Sequence, residues 1–315
     1  MIVDLPGTDT ATVLRRLYEL RESGGAVTLG RVLTLVVGVG ADWSAERAIA
    51  AANEASREHP CRVVVVADGG PAAEPGLDAQ IRVGADAGAS EVVLLRLSGA
   101  LAAHRDAVVL PFLLPDTPVV TWWPGRGPDT PAEDPLGRIA VRRITGPTED
   151  DPRSVLARRL AGYRPGDTDL AWSNITQWRG LLAAAIEAPA FGTIDSAHVA
   201  GARDDPASDI LAGWLATALA VPVTRSVGPA VVRLDGDGRT VSIERTSDTE
   251  AVLRRTGEPD ARVVLPRRSV RECLIEELRR LDPDEIYQEA LRGLLQVRYE
   301  TPDERSGGRE EAEHR

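Results

Sequence analysis

With 315 residues, the chain is long enough for two domains, each with its own hydrophobic core. Its formal net charge of -11 argues against a nucleic-acid-binding surface, which needs a basic patch to neutralise phosphates. The longest apolar runs are too short to span a membrane and no signal peptide is visible, so we expect a cytoplasmic protein that binds neither nucleic acid nor membrane.

The first half of the chain alternates between helix and strand patterns. In chain order, periodicity predicts a helix at 9–22, a strand at 31–37, a helix at 44–58, strands at 61–67, 79–83 and 91–97, a helix near 101–110, a strand after Pro118 and an edge strand at 138–144. Residues 29–148 are therefore predicted to form an α/β domain with a mixed sheet, on which an N-terminal helix within residues 1–28 packs.

The second half is predicted to be a smaller α+β domain with an antiparallel sheet, over residues 149–300. Its predicted elements are helices starting at 152, 180, 206, 270 and 284, a short strand at 192–199, and strands at 230–234, 240–245, 250–255 and 262–265. The turn Asp235-Gly236-Asp237-Gly238 predicts a hairpin, and Ser269 with Glu272 predicts a capping box. The polar tail 301–315 is expected to be disordered.

No catalytic residue, metal site or cofactor site is recognisable in the sequence. The four histidines are scattered, and neither a phosphate-binding loop nor a nucleophile elbow is present. Arginine doublets begin at Arg158, Arg254, Arg267 and Arg279 and look like phosphate binders in isolation. Neighbouring acids, such as Glu276-Glu277 before Arg279-Arg280, favour solvated ion pairs instead. Cys61 and Cys273 lie in apolar surroundings, where thiols are usually inert.

The segment most similar to a dinucleotide-binding motif is the turn Gly38-Val39-Gly40, with Asp68 at the end of the next strand. Trp43 stands at the third glycine position, and Asp68 lies farther from the turn than the usual stretch of about twenty residues. A sugar-phosphate or nucleotide sensor using this turn is nevertheless an alternative function. A degenerate enzyme with dispersed catalytic residues is a third one.

Two adjacent tryptophans, Trp122 and Trp123, end the strand that follows Pro118. Neighbouring side chains on a strand point to opposite faces, so each indole must be covered by a different part of the protein or by a partner. Large aromatics of this kind either fill the seam between two parts of a chain or form a binding hot spot beside an arginine. On the second interpretation, the partner-binding residues are Trp122, Trp123, Arg126, Asp169, Trp172, Trp178 and Arg179.

Short motifs are spread over nearly the whole chain in a fixed order. They are residues 28–35, Pro118–Pro128 with Trp-Trp-Pro-Gly, Arg142–Thr145, Asp169–Trp172 with Thr176–Arg179, Leu211–Leu215 and Glu276–Asp284. The most specific of these motifs are Trp-Trp-Pro-Gly and the pair Asp-x-Ala-Trp and Trp-Arg that follows it. In this order and spacing the set resembles the glucose-6-phosphate dehydrogenase assembly protein family (OpcA).

The resemblance implies a non-catalytic accessory protein whose partner is glucose-6-phosphate dehydrogenase. Members of that family promote the assembly or the allosteric activation of this enzyme, at the entry to the oxidative pentose phosphate pathway. Photosynthetic members respond to redox state through cysteines. Because Cys61 and Cys273 stand in predicted core positions, we do not expect thiol regulation here.

Overall fold

A computed structural model of the chain describes residues 1–23, 30–40, 43–69, 74–84, 91–147, 150–187 and 192–300. Its helices are α1 (Thr10–Ser23), α2 (Ala45–Ala55), α3 (Arg105–Val109), α4 (Pro135–Arg138), α5 (Pro152–Gly162), α6 (Leu170–Asn174), α7 (Thr176–Ile186), α8 (Pro206–Leu219), α9 (Val270–Arg279) and α10 (Glu285–Gly293). The predicted tail 301–315 lies outside the described residues.

The strands of the described residues are β1 (Ile2–Leu5), β2 (Leu33–Val39), β3 (Cys61–Asp68), β4 (Gly76–Arg82), β5 (Glu91–Ser98), β6 (Val119–Trp123), β7 (Arg142–Thr145), β8 (Asp167–Asp169), β9 (Ser196–Gly201), β10 (Val223–Val227), β11 (Val231–Gly236), β12 (Arg239–Arg245), β13 (Glu250–Arg255), β14 (Ala261–Val264) and β15 (Val297–Tyr299). Short 3-10 turns occupy Gly99–His104, Leu110–Phe112, Pro131–Glu133 and Leu294–Gln296.

These elements form two compact units, each of which the chain enters more than once. The first unit comprises Met1–Glu149, Gly162–Ser173 and Ser269–Pro283. The second comprises Asp150–Ala161, Asn174–Arg268 and Asp284–Arg315. Segments that are far apart in the sequence, including β8 and α9, therefore complete the first unit.

In the described part of the first unit, eight strands form one sheet in the order β1-β4-β5-β3-β2-β6-β7-β8. The six strands from β5 to β8 run parallel, whereas β4 is antiparallel to β5 and β1 is antiparallel to β4. Those six strands have the 3-2-1-4-5-6 order of doubly wound folds. The order reverses between β2 and β6, which makes this pair the topological switch point.

The prediction of an edge strand at 138–144 was wrong in its position within the sheet. The strand there, β7, lies between β6 and β8. Its outer neighbour β8 is only three residues long and polar in sequence, so the apolar pattern did not reveal it. The predicted helix near 101–110 is shorter than expected, because 3-10 turns flank α3 on both sides.

Each face of the first sheet is covered by its own hydrophobic core. Leu35 and Val37 of β2 belong to one core together with residues of α2 and α9. Val36 of β2 and Val64 of β3 belong to the other, together with residues of α1 and α3. Every residue of β2 is buried, as expected for a parallel strand covered on both faces.

In the described part of the second unit, seven strands form a sheet in the order β14-β13-β12-β11-β9-β10-β15. Pairing is antiparallel from β14 to β9 and parallel from β9 to β15. The predicted hairpin joins β11 to β12, and Asp237 and Gly238 have the positive φ angles of 50° and 71° that its tight turn needs.

The predicted fold class, a mixed α/β sheet followed by a mainly antiparallel α+β unit, is confirmed. The predicted capping box is confirmed as well, since Ser269 and Glu272 bond reciprocally at the start of α9. Four short strands, β1, β8, β10 and β15, were not predicted. Among the described helices, none combines the length and apolarity needed to cross a bilayer.

Candidate functional site

The two adjacent tryptophans lie at the carboxyl end of β6, beside the switch point. Trp122 is fully buried in the core that contains Val37, and Trp123 is 4% exposed in the core on the other face. The indole of Trp123 lies over Gly38 of β2, where an added Cβ atom would be 2.6 Å from the indole Nε1. Trp123 therefore fills space at the point where sheets of this topology hold a ligand.

Two buried arginines, Arg142 and Arg143, follow on β7. The Nη2 of Arg142 lies 2.5 Å from Oε2 of Glu277 on α9, and its Nη1 donates a hydrogen bond of 2.8 Å to the carbonyl oxygen of Asp282. Arg143 forms an ion pair with Asp167 of β8 and donates to two backbone carbonyl groups. These guanidinium groups fasten β7 to α9 and to β8.

Asp169, a predicted contact residue, is buried at the end of β8. Its Oδ2 accepts a hydrogen bond of 2.5 Å from the hydroxyl of Thr145, and its Oδ1 accepts one of 2.8 Å from the backbone N–H of Ala171. The second bond satisfies an otherwise open donor at the start of α6. Trp172, in the same short helix, is 2% exposed. This segment has a structural role in addition to any contact that it makes.

The remaining three predicted residues differ in exposure. Trp178 of α7 is 7% exposed, whereas Arg179 beside it is half-buried and donates from Nη2 to the hydroxyl of Thr176 at 3.1 Å. Arg126, which follows β6, is exposed. Of the seven predicted partner-binding residues, five are thus buried and two reach the surface.

The turn Gly38-Val39-Gly40 borders a small cavity at the carboxyl ends of β2, β3 and β5. This cavity has a volume of 110 Å³ and contains the side chains of Asp68 and Arg105. One acid and one base give it no excess positive charge with which to attract phosphate. Trp43, at the third glycine position, packs against the neighbouring core and carries the guanidinium of Arg47 4.3 Å above its ring.

A larger cavity in the second unit, lined mainly by basic side chains, was not predicted from the sequence; we call it the basic cleft. It has a volume of 160 Å³, and its polar lining includes Asp205, Arg245, Arg267 and Arg268 beside the ring of Trp178. These residues come from α7, the start of α8, the end of β12 and the segment after β14. The doublet Arg267-Arg268 was the available signal, but Arg245 joins it only in the folded sheet.

Both cysteines are buried. Burial raises the pKa of the Cys61 thiol to about 12, which disfavours the reactive thiolate at neutral pH. Throughout the described ranges, no cluster of three or more His, Cys, Asp or Glu side chains could hold a metal ion.

Comparison with known structures and curated proteins gives only distant similarities. Levoglucosan dehydrogenase in complex with NADH and L-sorbose is 10% identical, with a TM-score of 0.43, over 86% of this chain and 92% of that one. An oxidoreductase from Sinorhizobium meliloti is 12% identical, with a TM-score of 0.33, over 84% and 87% of the two chains. TM-scores below 0.5 do not establish a shared fold. No curated protein matches the chain.

Protein-family models match both parts of the chain. Residues 52–161 match the glucose-6-phosphate dehydrogenase subunit N-terminal domain, and residues 165–291 match the C-terminal domain of the same subunit. The two matches follow one another in the expected order and together span well over half of the sequence. The chain therefore belongs to the OpcA family of glucose-6-phosphate dehydrogenase subunits and is an accessory protein that has this dehydrogenase as its partner.

Proposed function

We propose that this protein is a non-catalytic, cytoplasmic subunit that promotes the assembly or the allosteric activation of glucose-6-phosphate dehydrogenase. The observation that carries the proposal is the pair of consecutive family matches. In this role the protein serves the oxidative pentose phosphate pathway through its partner enzyme.

The packing at the switch point supports a non-catalytic role. A doubly wound sheet usually binds its cofactor outside the carboxyl ends of the strands, where the strand order reverses. Here the Trp123 indole lies against Gly38 at that place. The sheet accordingly serves as a scaffold for presenting a surface to the dehydrogenase.

Activation requires only a modest preference for the active enzyme. A partner shifts a conformational or assembly equilibrium by the difference between its affinities for the two states. A tenfold shift corresponds to about 1.4 kcal/mol. A few exposed contacts at an interface supply that much free energy.

Exposure separates the predicted contact residues into two groups. Arg126 is exposed and Arg179 is half-buried, whereas the other five are buried, and Arg is a common interface residue. We propose that Arg126 contacts the dehydrogenase directly and that Trp122 and Trp123 hold the strand that presents it. The alternative is a rearrangement on binding that brings an indole into the interface.

The first experiment measures the rate of the dehydrogenase from the same organism, with and without a near-equimolar amount of this protein. Molar mass in solution is followed in the same samples. We expect a raised rate or a lowered half-saturating substrate concentration, together with a co-migrating complex. No rate change and no complex, with both proteins folded, would contradict the proposal.

Two substitutions then distinguish a residue that contacts the dehydrogenase from one that packs inside this protein. Arg126→Ala should weaken the complex at an unchanged melting temperature, whereas Arg16→Ala, an exposed arginine on α1, should change neither property. Trp123→Ala should cost about 3–5 kcal/mol of stability, as expected for a buried tryptophan. Lost activation by Trp123→Ala at an unchanged melting temperature would instead make this indole a direct contact.

A further inference from the structure

The basic cleft combines an apolar floor with a cationic rim, all within the second unit. Its floor is formed by the side chains of Val199, Leu211 and Val232 and by the indole of Trp178. The guanidinium carbon of Arg245 lies 5.5 Å from the centroid of that ring. Arg267 and Arg268 face the same cavity from the segment that follows β14.

The charged side chains that line the cleft are mainly cationic. Three arginines face a single carboxylate, that of Asp205. The two oxygens of Asp205 are engaged at the start of α8, where they accept hydrogen bonds from the N–H of Ala207 and the hydroxyl of Ser208 at 3.1 and 2.5 Å. The lining of the cleft is therefore mainly cationic, although Asp248, which is not part of the lining, pairs with Arg267.

Arg245 is the key residue of this cationic lining. Among the described residues its guanidinium forms no ion pair; its Nη1 donates to the carbonyl oxygen of Leu265 at 2.6 Å. Burial lowers the pKa of Arg245, and the charge of Arg267 lowers it further. An anion between these two side chains would relieve both effects.

Arg267 is free to turn toward such an anion. Its Nε lies 2.7 Å from Asp248, but the two side chains are 68% and 84% exposed. Exposed ion pairs of this kind contribute little free energy, so exchange of the partner costs little.

The geometry points to a binding site in the basic cleft for the phosphate group of a small phosphorylated metabolite. A phosphate monoester carries a charge of about -1.5 to -2 at pH 7 and three strong acceptor oxygens, so it can bind Arg245 and Arg267 at the same time. Arginine binds phosphate oxygens through paired N–H donors. The volume of 160 Å³ lies below the range of roughly 300–1,000 Å³ for sites of larger ligands, which favours a short ester over a dinucleotide.

Binding to the full chain, without the dehydrogenase, tests this inference independently of the proposed function. Isothermal titration calorimetry would compare glucose 6-phosphate, inorganic phosphate and glucose as probes. We expect glucose 6-phosphate to bind, inorganic phosphate to bind more weakly and glucose not to bind. Equal binding of the two phosphates would show an anion site without a metabolite preference and overturn the inference, as would no binding of either.

Substitutions locate the site. Arg245→Gln should weaken glucose 6-phosphate binding at least about tenfold, because a charged hydrogen-bonding partner is lost. Arg267→Gln, on an exposed side chain whose loss cannot unfold the protein, should weaken binding several-fold. The matched control is Arg254→Gln on β13, which removes an exposed arginine paired with Glu244 and Asp260 outside the cleft. Unchanged affinity in both cleft variants, or equal loss in the control, would place binding elsewhere.

Discussion

Removal of Glu277 from α9 should destabilise the first unit strongly, because this carboxylate is the buried partner of Arg142. Both side chains are 3% exposed, and their charged atoms lie 2.5 Å apart. Glu277→Ala would leave the guanidinium inside the protein, where its remaining hydrogen bond among the described residues is the 2.8 Å bond to the carbonyl oxygen of Asp282. An uncompensated buried charge is costlier than the loss of an exposed pair.

The expected loss is about 3–5 kcal/mol, the usual cost of breaking a buried ion pair by truncating one partner. For a unit of 150–250 residues, each kcal/mol lowers the melting temperature by roughly 2–4 °C, so a fall of about 6–20 °C is expected. Differential scanning calorimetry would measure it. The matched control is Glu276→Ala, the half-buried neighbour on the same helix, which should cost less than about 1 kcal/mol.

The double variant Arg142→Met/Glu277→Leu completes this test. Replacing a buried pair by apolar side chains of similar volume is often close to neutral, so much of the lost stability should return. If Glu277→Ala and Glu276→Ala shifted the melting temperature equally, the ion pair would contribute no more than an exposed one, and our account of how α9 is fastened to β7 would be wrong.

Three further predictions concern packing, pH dependence and thiol chemistry. Gly38→Ala should cost about 1–3 kcal/mol in urea unfolding, since its Cβ would collide with the Trp123 indole, and added Trp123→Phe should restore part of the loss. Burial raises the pKa of Asp209 from 3.8 to about 6, so the folded protein keeps a proton that the unfolded chain releases, and stability falls by about 3 kcal/mol as pH rises through this window. Asp209→Asn should flatten that part of the pH profile, and an unchanged slope would refute the shift. Cys61 and Cys273 should resist a thiol reagent at pH 8 until denaturant is added, whereas rapid labelling of the native protein would contradict their burial.

Local sequence patterns were sufficient for the long elements of this protein. The apolar run of β2 and the helical spacing of α1 are set by residues within the elements themselves, so periodicity predicts them. Strands such as β8 and β15 have three residues each and exist only through their neighbours in a sheet. No local signal specifies them. Because β8 was not predicted, β7 was expected at the edge of the sheet and not in its interior.

The candidate sites were harder to predict than the fold, for a related reason. The adjacent tryptophans were correctly expected on opposite faces, but the sequence does not reveal that a core covers each of them. The basic cleft joins Trp178, Arg245 and Arg267, which the chain separates by long intervals. Such a site depends on the way in which β9, β11 and β12 pair. The pairing of strands cannot be predicted from the sequence of any single segment.

The motifs by which the family is recognised are largely explained by packing in the first unit. Arg142 pairs with Glu277, and Thr145 bonds Asp169, so three separate motifs meet through buried polar contacts. Buried groups of this kind need partners of matching charge and hydrogen-bonding capacity, because burying an unpaired group destabilises the fold. A surface that binds another protein has no such requirement at most of its positions, since only a few residues supply the binding energy. The search for the dehydrogenase contact should therefore start from exposed residues beside the motifs, such as Arg126, and not from the tryptophans that identify the family.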